Sequence, residues 1–327
     1  MHQTRPSAKP VLTYMMSSSS AKPPRYVQFL VLIIGIFAIS LGSILIRLAQ
    51  NEAVPSLVIA LWRMLLSALI LLPFTLAGRR SELGQMGRAK WGLAALSGAL
   101  LGLHFATWTS SIALTSITSS TVLVATAPLW VGLASPFLLN ESLSRELKLG
   151  IALAMLGTLV VSMGGVVALE NNRITIITAS TSEGNHPLLG NALALIGGIS
   201  VAGYMIIGRR LRPHLSLLSY ATVVYGMAAL TLLVFNLIAG LDLLGYSIMA
   251  FVLFLAMALI PQLLGHTSFN WALGFLPAAF VSLAAISEPV GATILAMLIF
   301  REFPGPLVIL GSILILGGVY LGGRSQA

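Results

Sequence analysis

Long runs of hydrophobic residues, separated by short polar segments, follow one another along almost the whole chain. A helix that crosses a lipid bilayer needs about 20 mostly apolar residues in succession. Ten segments reach this length, so the pattern predicts ten membrane-spanning helices. The predicted spans are residues 27–48, 54–77, 91–113, 116–139, 147–169, 188–208, 216–239, 247–268, 272–300 and 306–322. For the ninth, Pro277 or Ala278 is a better start than Ala272.

Three polar segments lie outside the predicted spans. Residues 1–26 are basic, rich in serine and free of acids, which predicts a disordered cytoplasmic tail; the same composition also resembles a transit peptide. Residues 170–187 form the one long polar stretch in the interior of the chain, and we interpret them as an external linker. Residues 323–327 are then a short cytoplasmic C-terminus.

The two halves of the chain share one pattern without a gap. A shift of 161 positions places four scarce or structurally special residues of the first half on identical residues of the second. The matched pairs are Pro128 and Pro289, Glu141 and Glu302, Gly150 and Gly311, and Gly157 and Gly318. We infer an internal duplication, with residues 27–169 as the first repeat and residues 188–322 as the second.

The composition supports a membrane protein. Hydrophobic residues make up 57% of the chain and charged residues only 8%, whereas a soluble domain carries about 25% charged residues. The net charge of +9 does not indicate a nucleic-acid partner, because the basic residues are spread over the short segments between apolar runs. With no cysteine, the chain has no disulfide, no thiolate metal site and no cysteine nucleophile.

The distribution of basic residues predicts the orientation of the chain. With the N-terminus inside, 14 of the 18 Lys and Arg residues fall in cytoplasmic segments and three in external ones, and Arg63 lies within a span. Both termini are therefore predicted to be cytoplasmic. Each repeat has five spans, an odd number, so the second repeat enters the membrane from the opposite side. The predicted fold class is an all-α polytopic membrane protein with ten helices in two inverted five-helix repeats, an arrangement typical of secondary transporters.

Two charged residues within the spans are candidates for chemistry. Glu288 is the one acid that falls well inside a span, and small residues surround it one helical turn away. It could bind a substrate amine, carry a proton, or pair with Arg63 and only fix the packing of the helices. Arg63 could bind a substrate carboxylate, pair with Glu288, or extend its side chain toward the outer surface.

Further polar and aromatic residues recur at helical spacing within the spans. The third and eighth spans each carry a polar face, and the sixth offers one aromatic residue as a wall. The residues predicted to line a substrate cavity in this way are His104, Trp108, Tyr204, Gln262, His266 and Asn270. The two histidines could handle protons or be hydrogen-bonded packing residues.

Three prolines within the spans are predicted to interrupt helices, namely Pro128, Pro261 and Pro289. Proline has no N–H, so each frees a carbonyl group in the preceding helical turn. At Pro289 the freed carbonyl group lies beside the carboxylate of Glu288, a combination that suits a cation, an amine or a proton.

Two stretches of the chain resemble a known family. The segments H-F-A-T-W-T-S-S-I-A-L-T-S-I-T-S-S-T-V-L-V-A-T-A-P-L-W, residues 104–130, and P-Q-L-L-G-H-T-S-F-N-W-A-L-G-F-L-P-A-A-F-V-S-L-A-A-I-S-E-P-V-G-A, residues 261–292, are similar to the two EamA repeats of the drug/metabolite transporter superfamily. The resemblance covers all ten spans. It implies an inner-membrane carrier, often an exporter of amino acids or related metabolites, with a cavity lined by helices one, three, four, six, eight and nine. In one respect the two halves differ: Ala127 stands in the fourth span where Glu288 stands in the ninth, so a mechanism that needs one carboxylate in each half is in doubt.

We therefore predict a secondary transporter that exports a small polar or amphipathic metabolite by alternating access, with protons as a candidate coupling ion. An uncoupled facilitative carrier or a channel is the alternative within transport, and a membrane-embedded enzyme is the alternative outside it. No sequence motif indicates a catalytic group, a cofactor or a metal. The expected partners are a small-molecule substrate and the lipid bilayer; the sequence does not indicate an oligomeric state.

Overall fold

Helices account for nearly all of the structure, a computed structural model that describes residues 23–115, 117–163, 167–170, 173–176, 186–301 and 303–326. The helices of the first half are α1 (Arg25–Asn51), α2 (Ser56–Gly78), α3 (Arg80–Gln85), α4 (Arg88–Leu114), α5 (Ile117–Val124), α6 (Ala127–Leu138) and α7 (Arg145–Met163). Those of the second half are α8 (Pro187–Leu211), α9 (Leu217–Ile238), α10 (Ile248–Met257), α11 (Thr267–Ala272), α12 (Ala278–Ala285), α13 (Glu288–Phe300) and α14 (Pro306–Arg324). A π-helix, Ala258–His266, joins α10 to α11 without interruption.

The helices correspond closely to the predicted spans. Within the described part of the chain, eight helical segments are long and apolar enough to cross a membrane. The third predicted span is helix α4, which has 27 residues and a more polar composition. The fourth is shorter and broken into α5 and α6. The ninth predicted span begins at Ala278, where α12 starts, and not at Ala272.

The predicted end of the fifth span is wrong. Helix α7 ends at Met163, and strands β1 (Val167–Glu170) and β2 (Arg173–Ile176) form an antiparallel pair beyond it. The sequence continues after Met163 with two glycines and two valines. Glycine and β-branched residues both have low helix propensity, which explains why the apolar run does not extend the helix. The all-α prediction did not include this short pair of strands.

Packing between the two halves follows the repeat. In the first half, helix α1 packs against the helix that contains α10, the π-helix and α11; in the second half its counterpart α8 packs against α4. Two pairs of corresponding helices also pack on each other, α2 on α9 and α7 on α14, and α6 packs on α12. The packing of α1 against α10, the π-helix and α11 is thus matched by the packing of α8 against α4, as expected for two related halves.

The helix breaks also correspond. Helices α5 and α6 are separated at Ala125–Thr126, and helices α12 and α13 at Ile286–Ser287. Thr126 and Ser287 have nearly the same backbone angles, with φ and ψ of −72° and −7° for the first and −72° and −5° for the second. In both cases a proline is the second residue of the new helix, where its missing N–H costs no helical hydrogen bond.

Large apolar side chains cover the outside of the helix bundle. Phe137 is 84% exposed and Ile248 is 86% exposed, whereas the tyrosines of α8 and α9, Tyr204, Tyr220 and Tyr225, are buried in the interior. In lipid, backbone groups must form their hydrogen bonds within the protein, and helices do so. Large apolar side chains can then face the lipid, as they do here. The protein is therefore a multi-pass membrane protein.

Candidate functional site

Arg63 lies inside the bundle, on helix α2, and only 4% of it is exposed. Its Nε donates a hydrogen bond of 2.9 Å to the Oε1 atom of Gln262 in the π-helix. The guanidinium also lies over the ring of Phe105, 4.6 Å from the ring centre, where a cation is attracted by the π-electrons. These two contacts hold the guanidinium in place without neutralising its charge.

Glu288 is the first residue of helix α13 and follows the break directly. The hydroxyl of Ser40 on α1 donates a hydrogen bond of 2.9 Å to its backbone carbonyl, which fixes the start of the helix. The Glu288 side chain is partly exposed, although the residue lies in the middle of the chain's ninth span.

The two charges do not touch. Both residues belong to the described part of the chain, and no Arg63 nitrogen lies within 4.0 Å of a Glu288 oxygen. The one ion pair found among the described residues joins Arg209 to Glu141 instead. Arg63 and Glu288 are thus two residues of opposite charge that no direct ion pair joins.

Aromatic rings form a wall next to Arg63. His104 stacks on Trp108 with 5.8 Å between ring centres, and Phe105 meets His266 edge-on at 5.7 Å. The Nδ1 atom of His104 is 3.0 Å from the backbone carbonyl of Gly197, an acceptor, so Nδ1 carries the proton. The Nε1 atom of Trp108 is buried and has no acceptor among the described residues. It is a buried donor on the ring that stacks on His104.

A chain of hydrogen bonds connects α8, α9, α11 and the π-helix. Tyr204 donates to the Oδ1 atom of Asn270 at 2.5 Å, and Nδ2 of Asn270 donates to the hydroxyl of Tyr225 at 3.1 Å. The Tyr225 hydroxyl lies 2.9 Å from that of Thr267, which in turn donates to the backbone carbonyl of Gln262 at 3.2 Å. Asn270 thus lies in a packed network and has no exposed surface.

Three of the predicted residues lie in the π-helix. Pro261, Gln262 and His266 all belong to it, and the N–H of Thr267 bonds back to the carbonyl of Gln262, five residues earlier. Short π-helices inside α-helices occur frequently at functional sites. In the sequence, Gln262 and His266 were predicted on one face because α-helical spacing was assumed; the wider turn changes their relative direction.

The polar face predicted on helix α4 is used partly for packing. Ser97 lies 2.8 Å from the hydroxyl of Tyr220, and Ser111 shares a hydrogen bond with Ser120. Thr107 donates to carbonyls of its own helix. Of this face, Trp108 is the residue that remains partly exposed.

Sequence reasoning missed Phe105 and Tyr225 as parts of the site. Phe105 and Tyr225 lie in predominantly apolar helices, where neither residue stands out from its neighbours. Their roles follow from contacts with other helices. Within the described ranges, no group of three His, Asp or Glu residues converges as a set of metal ligands.

Comparison with known proteins decides the family. The model of the EamA-like transporter family matches residues 27–163 and 188–323, which is most of the chain. The chain belongs to the EamA-like transporter family. The two matched ranges correspond to α1–α7 and α8–α14.

Individual relatives of this EamA-like protein are distant. An uncharacterized transporter, YetK, from Bacillus subtilis (strain 168) is 26% identical over 210 residues, which are 63% of this chain and 60% of that relative's length. The chain thus spans somewhat less than two thirds of that curated relative. A solved crystal structure, described simply as a protein, shares the fold with a TM-score of 0.69 at 18% identity, over 93% of this chain and 100% of that one.

Proposed function

We propose that this EamA-like protein is a secondary transporter that exports a small polar or amphipathic metabolite by alternating access. The observation that carries the proposal is the pair of separated charges, Arg63 and Glu288, in the interior of the bundle. A charge at the centre of a membrane-spanning helix costs about 2.5–3.5 kcal/mol on insertion scales. Two opposite charges would reduce that cost by direct pairing, yet no ion pair joins them among the described residues. A ligand that takes the place of the missing partner is the simplest physical reason.

The separation of the charges indicates what such a ligand offers. A carboxylate or similar oxyanion suits Arg63, whose guanidinium is planar and always charged. An amine suits Glu288. Amino acids and related compounds carry both groups, and they are also the substrates that the family resemblance implies. The side chain of the substrate would lie against the wall of His104, Trp108 and His266, with Trp108 Nε1 as a further hydrogen-bond donor.

In the proposed transport cycle, Gln262 keeps Arg63 oriented toward the substrate. Tyr204 and Asn270 hold α8, α9 and α11 together through their hydrogen-bond network and do not contact the ligand. Glu288 either binds the amine directly or releases and takes up a proton that drives transport. We propose cytoplasmic termini and a location in the cell membrane, from the distribution of basic residues.

Three alternatives make different predictions. An uncoupled facilitative carrier would bind the same substrate and ignore a pH gradient. A channel would conduct without saturating at the concentrations at which a carrier does. A membrane-embedded enzyme would convert the compound in detergent, where no second compartment exists.

The test is an uptake screen in proteoliposomes. Purified protein is reconstituted and offered amino acids, their amides and their decarboxylated amines, with and without a pH gradient, and liposomes without protein are the control. We expect saturable uptake of compounds that carry both a carboxylate and an amine. Uptake that is equal in protein-free liposomes for the whole panel, or chemical conversion of a compound in detergent, would contradict the proposal.

A further inference from the structure

The C-terminal end of α11 exposes two backbone carbonyls that the helix itself cannot satisfy. The carbonyl of Leu273 would accept from the N–H of residue 277 in a continuing helix, but residue 277 is proline and has no N–H. The carbonyl of Asn270 loses its partner because the N–H of Gly274 bonds to Trp271 instead. Unsatisfied carbonyls and a negative partial charge are general features of a helix C-terminus, and both favour a cation there.

Two arginines at the end of α8 bind these carbonyls. Nη1 of Arg209 donates to the carbonyl of Leu273 at 3.0 Å, and Nε of Arg212 donates to the carbonyl of Asn270 at 2.9 Å. Arg212 also donates to the carbonyl of Leu215. Burial lowers the pKa of Arg212, which lies beyond the end of the span, to about 10, so its charge persists at neutral pH. The C-terminal end of α8 is thus hydrogen-bonded to the C-terminal end of α11.

A residue of the first repeat holds one of these arginines. Nε of Arg209 donates to Oε1 of Glu141 at 2.6 Å, directly after helix α6, and both side chains are only 22% exposed. A contact of charged groups at this burial is stronger than one at an open surface. Nearby, the backbone N–H of Ser216 donates to Glu82 at 2.6 Å, which joins the loop after α8 to helix α3. Together these contacts join α3, the segment after α6, the end of α8 and the end of α11 at one end of the molecule.

The same residues reach the candidate substrate site. Asn270 uses its backbone carbonyl for Arg212 and its side chain for Tyr204 and Tyr225. The π-helix that carries Gln262 and His266 continues directly into α11. A displacement of the π-helix by a bound substrate would therefore change the position of the carbonyls that the arginines bind.

We propose that Arg209 and Arg212 form the cytoplasmic gate of the transporter by clamping the C-terminal end of α11, and that Glu141 positions Arg209 for this purpose. The clamped arrangement closes the cytoplasmic end, and release of the two carbonyls opens it. This inference rests on the proposed function, because alternating access requires one end to close while the other opens. Arg209 and Arg212 are gate residues, and Glu141 is a positioning residue.

The test measures access to the site, and it needs no substrate. Because the natural chain has no cysteine, a single cysteine at His266 reports when a membrane-impermeant thiol reagent reaches the site. Labelling is measured from the cytoplasmic side in inside-out vesicles and from the other side in right-side-out vesicles. Arg209→Gln should raise the cytoplasmic labelling rate about tenfold, equivalent to about 1.4 kcal/mol, and leave the external rate unchanged or lower.

The variants form a matched series. Glu141→Gln should produce a smaller rise than Arg209→Gln, because it leaves the bond to Leu273 intact. Arg210→Gln is the control, since Arg210 is the exposed neighbour and makes no hydrogen bond or ion pair with another described residue. If Arg209→Gln is not recovered in the membrane, Glu141→Gln and Arg210→Gln still decide the question.

Two results would overturn the gate. One is equal cytoplasmic labelling in Glu141→Gln, Arg209→Gln and Arg210→Gln. The other is labelling that rises equally from both sides, which indicates a loosened structure and not an opened end. This outcome is separate from that of the uptake screen. If no transported compound is found, the relative labelling rates of the variants still test the gate. If those rates contradict the gate, the proposal of transport still stands.

Discussion

Gly150 of helix α7 and Gly318 of helix α14 are in direct backbone contact. A Cβ atom added to Gly150 would lie 2.5 Å from the carbonyl oxygen of Gly318, and one added to Gly318 would lie 2.5 Å from that of Gly150. Gly157 and Gly311 meet in the same way, at 2.7 Å and 2.6 Å. In the repeat, Gly150 corresponds to Gly311 and Gly157 to Gly318. Gly150 therefore contacts the counterpart of Gly157, and Gly157 contacts the counterpart of Gly150. This pairing requires that the two equivalent helices run antiparallel.

Gly150→Ala should destabilise the protein, because the new methyl group meets backbone atoms that cannot move aside. We expect a loss of about 1–3 kcal/mol, the range for overpacking a well-packed contact. It would be seen as a lower midpoint of thermal unfolding in detergent. Gly226→Ala is the control, since Gly226 lies inside helix α9 with open space where a Cβ would be. There alanine should be neutral or stabilising, by up to about 1 kcal/mol. Equal behaviour of the two variants would contradict the close contact.

Glu288→Gln separates the three roles considered for this residue. If Glu288 carries a coupling proton, the variant should lose transport driven by a pH gradient and keep exchange of substrate across the membrane. If it binds an amine, binding and exchange should both weaken, by about tenfold or more for loss of a charge-assisted contact. If it serves only the packing of the helices, abundance should fall, and removal of Arg63 as well should partly restore it.

The four measurements for Glu288→Gln are abundance, binding, exchange and gradient-driven flux. Glu146→Gln is the control, because Glu146 is an exposed acid at the start of helix α7. Wild-type values in all four for Glu288→Gln would remove Glu288 from the mechanism.

The sidedness of the chain can be tested with single cysteines. Ser81, in the short helix α3, and Leu244, 68% exposed before helix α10, are predicted on opposite sides of the membrane. A membrane-impermeant thiol reagent applied to intact cells should label a cysteine at 244 and reach one at 81 only after permeabilisation. Labelling of both positions in intact cells would refute the inverted arrangement.

Tyr204→Phe removes the hydroxyl that donates to Asn270 in the buried network. The amide oxygen is then left without this donor, which should cost about 1–3 kcal/mol of stability. Tyr320→Phe is the control, because Tyr320 is 71% exposed on helix α14. The midpoint of thermal unfolding should fall for Tyr204→Phe alone. An equal shift in both variants would mean that the network contributes nothing specific.

The length and spacing of the apolar runs were sufficient to predict most of the helices. A bilayer allows few solutions for backbone hydrogen bonding, so a long apolar run is nearly always a helix. The duplication was visible because proline and glutamate are scarce in this chain, and their matched positions stand out. Pro128 and Pro289 also located the two helix breaks, since the loss of an N–H acts locally. The break predicted at Pro261 was wrong, because the helix continues through it as a π-helix. The end of α7 was misplaced because an apolar run can continue as a strand outside the helix.

Contacts between distant helices could not be obtained from the sequence. The hydrogen bond from Arg63 to Gln262 joins residues 199 positions apart, and the ion pair between Glu141 and Arg209 joins residues 68 positions apart. Glu302 matches Glu141 in the repeat but lies outside the described residues, as do the polar segment before residue 23 and most of the predicted external linker. Periodicity shows which face of a helix is polar, because it depends on neighbours along the chain. Which partner that face meets depends on how helices pack, and only the tertiary structure decides whether Arg63 binds Glu288, Gln262 or a ligand.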